Sequence, residues 1–477
     1  MKNDQIYLEN YWRLYELFLQ NFDSLTYKHI PLALLSNFYR YISPALKERM
    51  KRETFFKLSS GEALTHKTKT GQPFFEEEMK KMVSETAKAG DTKILLHLDY
   101  LRWSPEHFVK FDPRHTLVLL RGNLKQYNGL PTINKNAQRH AAAPDVVAAL
   151  TKQAAMLFDA LPVDHPLQES HLKTVFLKDL AGFISAIDAL TPIFQKQPLA
   201  MIVVGTTEDL DSRILVLEGR RRGIPSLCLQ HGALMGEEAF FPVLATHQGV
   251  YGKYERDWYL AKGCSGSQIV VTGHPRFDSI FNPNKPIHQE SAAVLKLSAN
   301  KKTILVATQP FAEAVLNKII SELLKQSDLQ VIVKPHPWEI GKGKLAVYHA
   351  FERYPNFRLL ARSPGLYDVL PAVDGVVTLT STVGLEAMLF GKPVWIGENT
   401  DDRQYSYYEA LKSSYLTDPV NLAKQVISSL ENPQLLKEVS SQCQAFSNTN
   451  YPVHQSMDLL FQLFYKLTGT RFDLKAS

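Results

Sequence analysis

The feature of this 477-residue sequence that most constrains its fold is a repeated alternation of short apolar runs with helical stretches. In the second half of the chain, apolar runs of strand length lie at 303–307, 329–333, 357–360, 376–379 and 394–396. Helical patterns separate them at 312–325, 365–372 and 383–390. Strands that alternate with helices indicate a parallel sheet, so the pattern predicts an α/β fold built from βα units of Rossmann type.

A similar alternation in the first half predicts a second sheet, with apolar runs at 94–98, 116–120, 200–204, 226–229 and 268–271. The segment 281–289 contains two prolines and two asparagines, so it is typical of a linker. Two Rossmann-like domains joined in this way face each other across a cleft. In open α/β sheets ligands bind beyond the carboxyl ends of the strands, so we expect the functional residues there.

The predicted organisation has four parts. Residues 1–90 form an N-terminal helical layer that belongs to the first domain, because apolar residues recur there at three- and four-residue spacing. The first Rossmann-like domain covers 91–280 and the second covers 290–450. Residues 451–477 form an amphipathic helix that packs back on the first domain.

Composition excludes several classes of protein. The chain is 45% hydrophobic and 21% charged, as in a globular protein with a sizeable core. Its longest apolar runs are far shorter than the roughly 18 residues of a membrane-spanning helix, and segment 1–21 lacks the pattern of a secretory signal. We therefore expect a cytoplasmic protein. The net charge of +6 does not indicate nucleic-acid binding, and three cysteines without metal-ligand spacing predict no metal site.

A local excess of positive charge has two interpretations. The basic residues are Lys47, Arg49, Lys51, Arg52 and Lys57. Such a run is most often a solvated helix face, which is the favoured interpretation. The alternative is contact with an anionic lipid surface or a polyanionic acceptor, which would place the protein peripherally at the inner face of the cell membrane.

Two groups of candidate proton acceptors follow strands of the first domain. Gln230, His231 and Gly232 come directly after the run 226–229, and a neutral imidazole there can accept a proton from an attacking hydroxyl. The alternative role for His231 is to hold the turn. Glu208 and Asp209 follow the run 200–204 and are the alternative general base.

The sequence Lys334-Pro335-His336-Pro337 follows a strand of the second domain. The flanking prolines restrict the backbone around His336, and Lys334 adds a positive charge. The motif is typical of a donor pair for a phosphate group. A rigid turn with an incidental histidine is the alternative.

A third motif begins a helix in the second domain. Thr380, Ser381 and Thr382 precede a helical pattern that contains Glu386. Free backbone N–H groups and the positive end of the helix dipole can bind a phosphate, and Glu386 can accept hydrogen bonds from ribose hydroxyls. An ordinary helix cap is the alternative.

The sequence Gly273 to Asp278 follows the last run of the first domain and contains His274 and Arg276. Two roles for Arg276 are open: it lines the cleft, or it pairs with Asp278 as a structural clamp.

These motifs, in this order, resemble those of bacterial surface-polysaccharide transferases of the GT-B fold. The resemblance covers about 199–397 and is closest to the capsule polysaccharide biosynthesis group of the KpsC and KpsS type. It extends more distantly to bacterial sialyl- and polysialyltransferases and to CDP-glycerol glycerophosphotransferases. The acidic pair followed by glycine that sialyltransferases carry in their N-terminal domain has no clear equivalent here.

The resemblance implies roles for particular residues. His336 contacts the nucleotide phosphate, and Ser381 with Thr382 holds the same phosphate at the start of the helix. Glu386 matches the ribose-binding glutamate of GT-B enzymes, and His231 matches a histidine that is a base candidate in the polyol-phosphate branch.

We therefore expect a glycosyltransferase, without metal or other cofactor, that moves a sugar from a nucleotide donor, most simply a CMP-sugar, to a surface glycan or glycolipid. The first alternative is a polyol-phosphate transferase with a CDP-glycerol type of donor. A UDP-sugar 2-epimerase would share the fold, but its His-Arg signature is not recognised here. A non-catalytic nucleotide-sugar-binding scaffold is the remaining alternative.

Overall fold

The computed structural model describes residues 2–56, 71–82, 92–137, 139–234, 236–282, 295, 297–298, 300–361, 363–398 and 406–474. Lys57 and most of the predicted linker, residues 283–289, lie outside the described residues. The rest of the chain forms an N-terminal layer and two large sheets.

The N-terminal layer begins with the 20-residue helix Lys2–Asn21. It continues through the short antiparallel pair β1 (Thr26–Tyr27) and β2 (Ile30–Pro31). Short helices follow at Leu32–Leu35, Phe38–Tyr41, Pro44–Met50 and Gln72–Lys80. The predicted helical layer is therefore more broken than its apolar spacing suggests, because Pro31 and Pro44 cannot lie inside a continuous helix.

The basic run makes intramolecular contacts in this layer. Lys51 pairs with Glu48 at 2.8 Å. The ammonium group of Lys47 lies 5.5 Å from the ring centre of Tyr7. These contacts favour the interpretation of the run as a helix face.

The first large sheet has eight strands in the order β10-β9-β8-β7-β3-β4-β6-β5. Their bounds are Lys93–His97 (β3), Thr116–Leu120 (β4), Gln126–Tyr127 (β5), Leu130–Asn134 (β6), Leu199–Val204 (β7), Ser226–Leu229 (β8), His247–Val250 (β9) and Ile269–Val271 (β10). All pairings are parallel except that of β5 with β6. The chain order reverses between β3 and β7, and such a switch point is where an open α/β sheet binds ligands.

Burial explains which of these strands the sequence indicated. All five residues of β4 (TLVLL) are buried, as expected for a parallel strand covered on both faces. Strand β9 (HQGV) was not predicted, because His247 and Gln248 give it little apolar character. Its neighbours β8 and β10 supply the pairing that makes it a strand.

Helices cover the first sheet. Those described lie at Pro105–Phe108, Pro144–Asp159, Pro166–Gln168, Ser170–Lys196, Leu210–Arg221, Glu237–Phe240, Lys253–Ala261 and Pro275–Phe281. Within the described residues, no helix is both long enough and apolar enough to cross a membrane.

The second large sheet has six strands, all parallel, in the order β13-β12-β11-β14-β15-β16. Their bounds are Lys302–Ala307 (β11), Leu329–Lys334 (β12), Phe357–Leu359 (β13), Gly375–Thr378 (β14), Val394–Gly397 (β15) and Tyr415–Leu416 (β16). The switch point of this sheet lies between β11 and β14. The prediction of a second Rossmann-like domain is confirmed.

The helices of the second domain lie at Glu313–Leu323, Pro337–Gly341, Ala346–His349, Leu366–Val369, Leu370–Ala372, Thr382–Leu389, Ser406–Ser414, Pro419–Glu431 and Pro433–Asn450. The single helix predicted over 365–372 is in fact two short segments, the second of them a 3-10 helix. Pro371 accounts for the break, since it has no backbone N–H to continue an α-helix.

The last helix, Ser456–Thr468, packs on the first domain and not on the second. Leu460 and Phe464 are fully buried in one apolar cluster with Ile94 and Leu96 of β3. The Asp278 carboxylate caps the start of this helix by accepting hydrogen bonds from the N–H of Ser456 at 2.9 Å and of Met457 at 3.0 Å.

Candidate active site

The two switch points carry loops that meet at the cleft between the domains. In the first domain these loops follow β3 and β7, and a Cβ on Gly205 would lie only 2.3 Å from the carbonyl carbon of Tyr100, so the loops are in close contact. In the second domain they follow β11 and β14. There the Thr380 N–H donates to Gln309 Oε1 at 2.8 Å, and Gln309 Nε2 donates to Thr380 Oγ1 at 3.3 Å.

A direct hydrogen bond joins the two walls of the cleft. The Ala233 N–H, from the loop after β8, donates to Thr382 Oγ1 at 3.0 Å. A Cβ on Gly232 would lie 3.5 Å from the same hydroxyl. The Gln-His-Gly motif of the first domain and the Thr-Ser-Thr motif of the second therefore lie beside each other.

His231 is held between aromatic rings at this junction. Its ring stacks on Phe240 with centroids 5.2 Å apart, and Tyr100 meets it edge-on at 5.6 Å. Burial, with the positive charges of Arg102 and Arg276, lowers the pKa of His231 to about 3. The imidazole is therefore neutral at pH 7 and able to accept a proton.

Gln230 shapes the turn that carries His231. Its Nε2 donates to the Gly232 carbonyl at 2.8 Å and to Glu255 Oε1 at 3.2 Å. Glu255 also accepts from the Gly252 N–H at 3.1 Å, at the start of helix Lys253–Ala261. Burial raises the pKa of Glu255 to about 7. Gln230 and Glu255 support the turn from behind.

His336 is exposed and caps the short helix Pro337–Gly341. Its Nδ1 accepts from the Trp338 N–H at 3.1 Å, so the proton of the neutral ring is on Nε2. Burial lowers its pKa, Glu339 opposes this effect, and Arg102 lowers the pKa further. The His336 N–H donates to Glu339 Oε2 at 2.9 Å, which fixes the backbone of the motif.

Lys334 and Pro337 have mainly positioning roles in this geometry. The Lys334 ammonium donates to the Pro364 carbonyl at 2.9 Å, so at least one of its three donors holds a neighbouring loop. Pro337 is the first residue of the short helix, where its missing N–H costs nothing.

Ser381 and Thr382 begin the helix Thr382–Leu389. Ser381 Oγ accepts from the Val383 N–H at 3.3 Å, and Thr382 Oγ1 accepts from Ala233. Each hydroxyl thus acts as an acceptor here and retains its own O–H as a donor.

Glu386 and Arg276 meet across the cleft. Glu386 Oε1 accepts from the Tyr367 hydroxyl at 3.0 Å and lies 3.7 Å from Arg276 Nη2. Arg276 also donates to the Tyr251 hydroxyl at 3.4 Å. The clamp that we considered between Arg276 and Asp278 is wrong, because Asp278 caps the last helix and Arg276 faces the second domain.

His274 is fully buried beneath Arg276. Its Nδ1 accepts from the Arg276 N–H at 3.2 Å. Burial and the charges of Arg276 and Arg102 hold its pKa well below the ordinary value. His274 therefore orients the turn that carries Arg276.

The two candidate carboxylates after β7 have different environments. Asp209 caps helix Leu210–Arg221 by accepting from the Ser212 N–H at 3.0 Å, and its role as a base stays a prediction. Glu208 lines a cavity of about 450 Å³ between this loop and the N-terminal layer, together with Tyr100 and Arg40. Asp209 also lines this cavity, although one of its carboxylate oxygens is used by the helix cap.

Arg102 is the residue of the cleft that the sequence analysis missed. Its Nη1 donates to the His231 carbonyl at 3.0 Å. Arg102 follows β3 by five residues, but nothing in the sequence shows that β3 lies at the switch point. Among the described residues there is no group of three or more His, Cys, Asp or Glu side chains that could hold a metal ion.

Comparisons with known proteins agree with this architecture. Residues 303–398 match the family model described as capsule polysaccharide biosynthesis protein. This segment contains His336, Ser381, Thr382 and Glu386. A search of curated proteins found no match.

Two solved structures show the fold. The chain is similar to a glycosyltransferase from Rickettsia africae ESF-5, with 10% identity over 82% of this chain and 100% of that one and a TM-score of 0.50. It is also similar to MnaA of S. aureus in a co-structure with UDP, with 13% identity over 80% of this chain and 100% of that one and a TM-score of 0.51.

The chain therefore has the GT-B fold, with two Rossmann-like domains that face each other across a cleft and an N-terminal helical layer. The matched segment 303–398 lies within the second Rossmann-like domain, and there the chain is similar to capsule polysaccharide biosynthesis proteins.

Proposed function

We propose that this protein is a glycosyltransferase that moves a sugar from a CMP-linked donor to a cell-surface polysaccharide or glycolipid. The observation that carries the proposal is the contact between Ala233 and Thr382, at 3.0 Å. It places a neutral histidine of the first domain beside the start of a helix of the second domain. A base candidate and a phosphate-binding candidate thus lie at one point of the cleft.

The donor phosphate binds to the second domain in this proposal. His336 offers Nε2–H, because its Nδ1 is already occupied by the Trp338 N–H. The start of helix Thr382–Leu389 offers backbone N–H groups, the Thr382 hydroxyl and the positive end of the dipole. Glu386 accepts hydrogen bonds from the ribose hydroxyls.

The transfer itself needs a proton acceptor on the first domain. An acceptor hydroxyl forms a bond to the anomeric carbon, the bond from that carbon to the phosphate oxygen breaks, and CMP leaves with the bonding electrons. His231 takes the proton of the attacking hydroxyl. Glu208, beside the adjoining cavity, is the second candidate for this role.

His336, Thr382 and the helix dipole stabilise the charge that develops on the leaving phosphate. These groups supply the stabilisation from the protein itself, so we expect turnover to be insensitive to chelators. The glycan acceptor, a cytoplasmic location and peripheral contact with a membrane remain predictions from the sequence.

A thermal-shift titration tests the donor assignment. Purified protein is titrated with CMP, CDP, UDP, GDP and dTDP, with and without EDTA, since a ligand of the folded state must raise its stability. We expect selective stabilisation by cytidine nucleotides that EDTA does not change. Preference for UDP or dTDP contradicts the proposed donor, and no response to any nucleotide contradicts the proposed activity.

Product analysis then distinguishes the proposed reaction from transfer of a polyol phosphate. A glycosyltransferase with a CMP-sugar donor leaves a glycosidic bond in the product. A polyol-phosphate transferase releases the same nucleotide but leaves a phosphodiester, which phosphorus NMR detects.

A further inference from the structure

Arg102 is held in the cleft by a strained loop. Tyr100 and Arg102 both have left-handed backbone conformations, with φ of 64° and 53°. Such conformations are unfavourable in residues other than glycine and persist where the surrounding structure enforces them. Here Gly205 packs against the Tyr100 backbone, and the hydrogen bond from Arg102 to the His231 carbonyl fixes the guanidinium.

The charge of Arg102 is not neutralised by a carboxylate. The side chain is exposed, and no carboxylate of the described residues lies within ion-pair distance of it. One guanidinium nitrogen is used by the His231 carbonyl at 3.0 Å. No hydrogen bond from its other N–H groups is found among the described residues, and a guanidinium can donate two parallel hydrogen bonds to one oxyanion.

Arg276 supplies a second guanidinium to the same space. Its Nη2 lies 3.7 Å from Glu386 Oε1, and the same oxygen accepts a hydrogen bond from the Tyr367 hydroxyl. Its Nε is buried and has no hydrogen-bond partner among the described residues. Desolvation in the cleft and the charge of Arg276 both lower the pKa of Arg102, so the two cations lie within electrostatic range.

Apart from Glu386, the titratable groups of the described residues that lie around the pair include three histidines and the tyrosines Tyr100, Tyr251 and Tyr367. Burial lowers the pKa values of His231, His274 and His336, so these rings are neutral at pH 7. Glu386 therefore pairs with Arg276 alone, and Arg102 has no carboxylate partner among the described residues. Like charges in this arrangement repel, and an anion bound between them relieves the repulsion.

We propose that Arg102 and Arg276 form a subsite for a second anionic group of the donor, distinct from the nucleotide phosphate at His336 and Thr382. This inference rests on the proposed function. The nucleotide phosphate has its donors on the wall formed by the second domain, whereas Arg102 belongs to the opposite wall and contacts His231. The group between the walls is the part of the donor next to the phosphate.

Two kinds of donor carry an oxyanion at that position. One is a CMP-sugar with a carboxylate on the sugar, and the other is a cytidine diphosphate with a second phosphate. Arginine recognises both in the same bidentate way. Different probe ligands distinguish the sugar carboxylate from the second phosphate.

The test compares the Kd values of CMP, CDP and CMP-N-acetylneuraminic acid by isothermal titration calorimetry. A charge-assisted hydrogen bond contributes about 1.5–3 kcal/mol, so at least one of the two doubly anionic ligands should bind about tenfold or more tightly than CMP. A gain for the CMP-sugar alone identifies a carboxylate and agrees with the proposed donor. A gain for CDP alone identifies a phosphate, which keeps the subsite and contradicts the CMP-linked donor.

Variants of Arg102 test whether this residue produces the gain in affinity over CMP. In Arg102→Gln we expect the advantage over CMP to fall to less than about threefold while CMP itself still binds, because the phosphate site is on the other domain. Arg102→Lys keeps the charge and should retain part of the advantage. Arg114→Gln is the matched control, since Arg114 is 82% exposed and pairs with Asp112 outside the cleft.

Equal Kd values for all three ligands in the wild-type protein, or an unchanged advantage in a folded Arg102→Gln variant, would overturn the subsite. Binding of CMP with no second-anion gain leaves the proposed glycosyltransferase intact. Failure of every cytidine ligand to bind overturns both proposals.

Discussion

The two ring nitrogens of His336 have separate tasks. Nδ1 caps a helix by accepting from the Trp338 N–H at 3.1 Å, which leaves Nε2–H for a ligand. An asparagine can replace the cap, because its side-chain oxygen can accept from the same N–H, but it has no donor at the position of Nε2.

We expect His336→Asn to weaken CMP binding about tenfold or more without loss of stability, since a charge-assisted hydrogen bond to phosphate is removed. His336→Ala should lose the same affinity and also about 1 kcal/mol of stability from the missing cap. Calorimetric titration and urea unfolding measure the two effects. Wild-type affinity for CMP in His336→Asn would show that this nitrogen does not contact the donor.

His231 is a weak base in the free protein. Its pKa of about 3 results from burial and from the charges of Arg102 and Arg276. CMP carries a phosphate dianion, and this negative charge at the start of helix Thr382–Leu389 opposes the effect of the two arginines, so CMP binding should raise the pKa of His231. A CMP-sugar, whose phosphodiester carries one negative charge, should change the pKa in the same direction by less.

Histidine-selective NMR measures this change. In the free protein we expect the His231 signal to stay at its neutral position from pH 8 down to pH 5, and to begin to titrate in that range when CMP is bound. His231→Gln assigns the signal by its disappearance. A free-protein pKa near 6.5 would contradict the environment described here.

Among single residues, the sequence indicated His231, His336 and Thr382, because each lies within a few residues of the end of a strand. It did not indicate Arg102, which reaches the cleft through a left-handed backbone conformation that the sequence Tyr-Leu-Arg does not suggest. It also placed Asp209 among the bases, although its side chain caps a helix.

At the level of elements, helix Lys253–Ala261 and the turn that carries His231 are joined by one buried carboxylate, that of Glu255. Glu255 is fully buried, accepts from the Gly252 N–H at 3.1 Å and from Gln230 at 3.2 Å, and through Gln230 supports the turn of His231. Burial raises the pKa of Glu255 from its ordinary 4.5 to about 7.

The stabilisation from neutral Glu255 is complete below pH 4.5 and is lost as the pH rises to about 7, because the unfolded chain then gains more from ionisation. We expect the free energy of unfolding of the wild type to decrease relative to that of Glu255→Gln, by roughly 3 kcal/mol between pH 4.5 and 8. Urea unfolding across this range measures the difference. A difference independent of pH would show that Glu255 is ionised in the folded protein.

The elements themselves were largely predictable in the second domain, where most strands are rich in valine, isoleucine and leucine, as in β12 (LQVIVK) and β14 (GVVT). Strands β5, β6, β9 and β16 and the break at Pro371 were missed. In β9 the pairing of neighbours outweighs a polar sequence, and at Pro371 one residue divides a region whose apolar pattern is continuous.

At the level of the whole molecule, the last helix fastens the end of the chain to the first domain. Leu460 is fully buried against β3, whereas its neighbour Leu459 is 38% exposed. Leu460→Ala should lower the free energy of unfolding by about 2–5 kcal/mol. Leu459→Ala is the control and should change it by less than about 0.5 kcal/mol. Equal effects in urea unfolding would mean that the helix is not packed as described.

The two-domain architecture could be predicted from alternation alone, but the arrangement of the site could not. Strand order decides which loops meet, and the sequence does not state that order. The reversals between β3 and β7 and between β11 and β14 bring Arg102, His231 and Thr382 together from distant parts of the chain.

The most direct test of the central claim is a crystal structure of the protein with CMP. The account predicts a phosphate oxygen within hydrogen-bonding distance of His336 Nε2 and of the start of helix Thr382–Leu389, with the ribose at Glu386. CMP bound elsewhere, for example in the cavity beside Glu208, would contradict it.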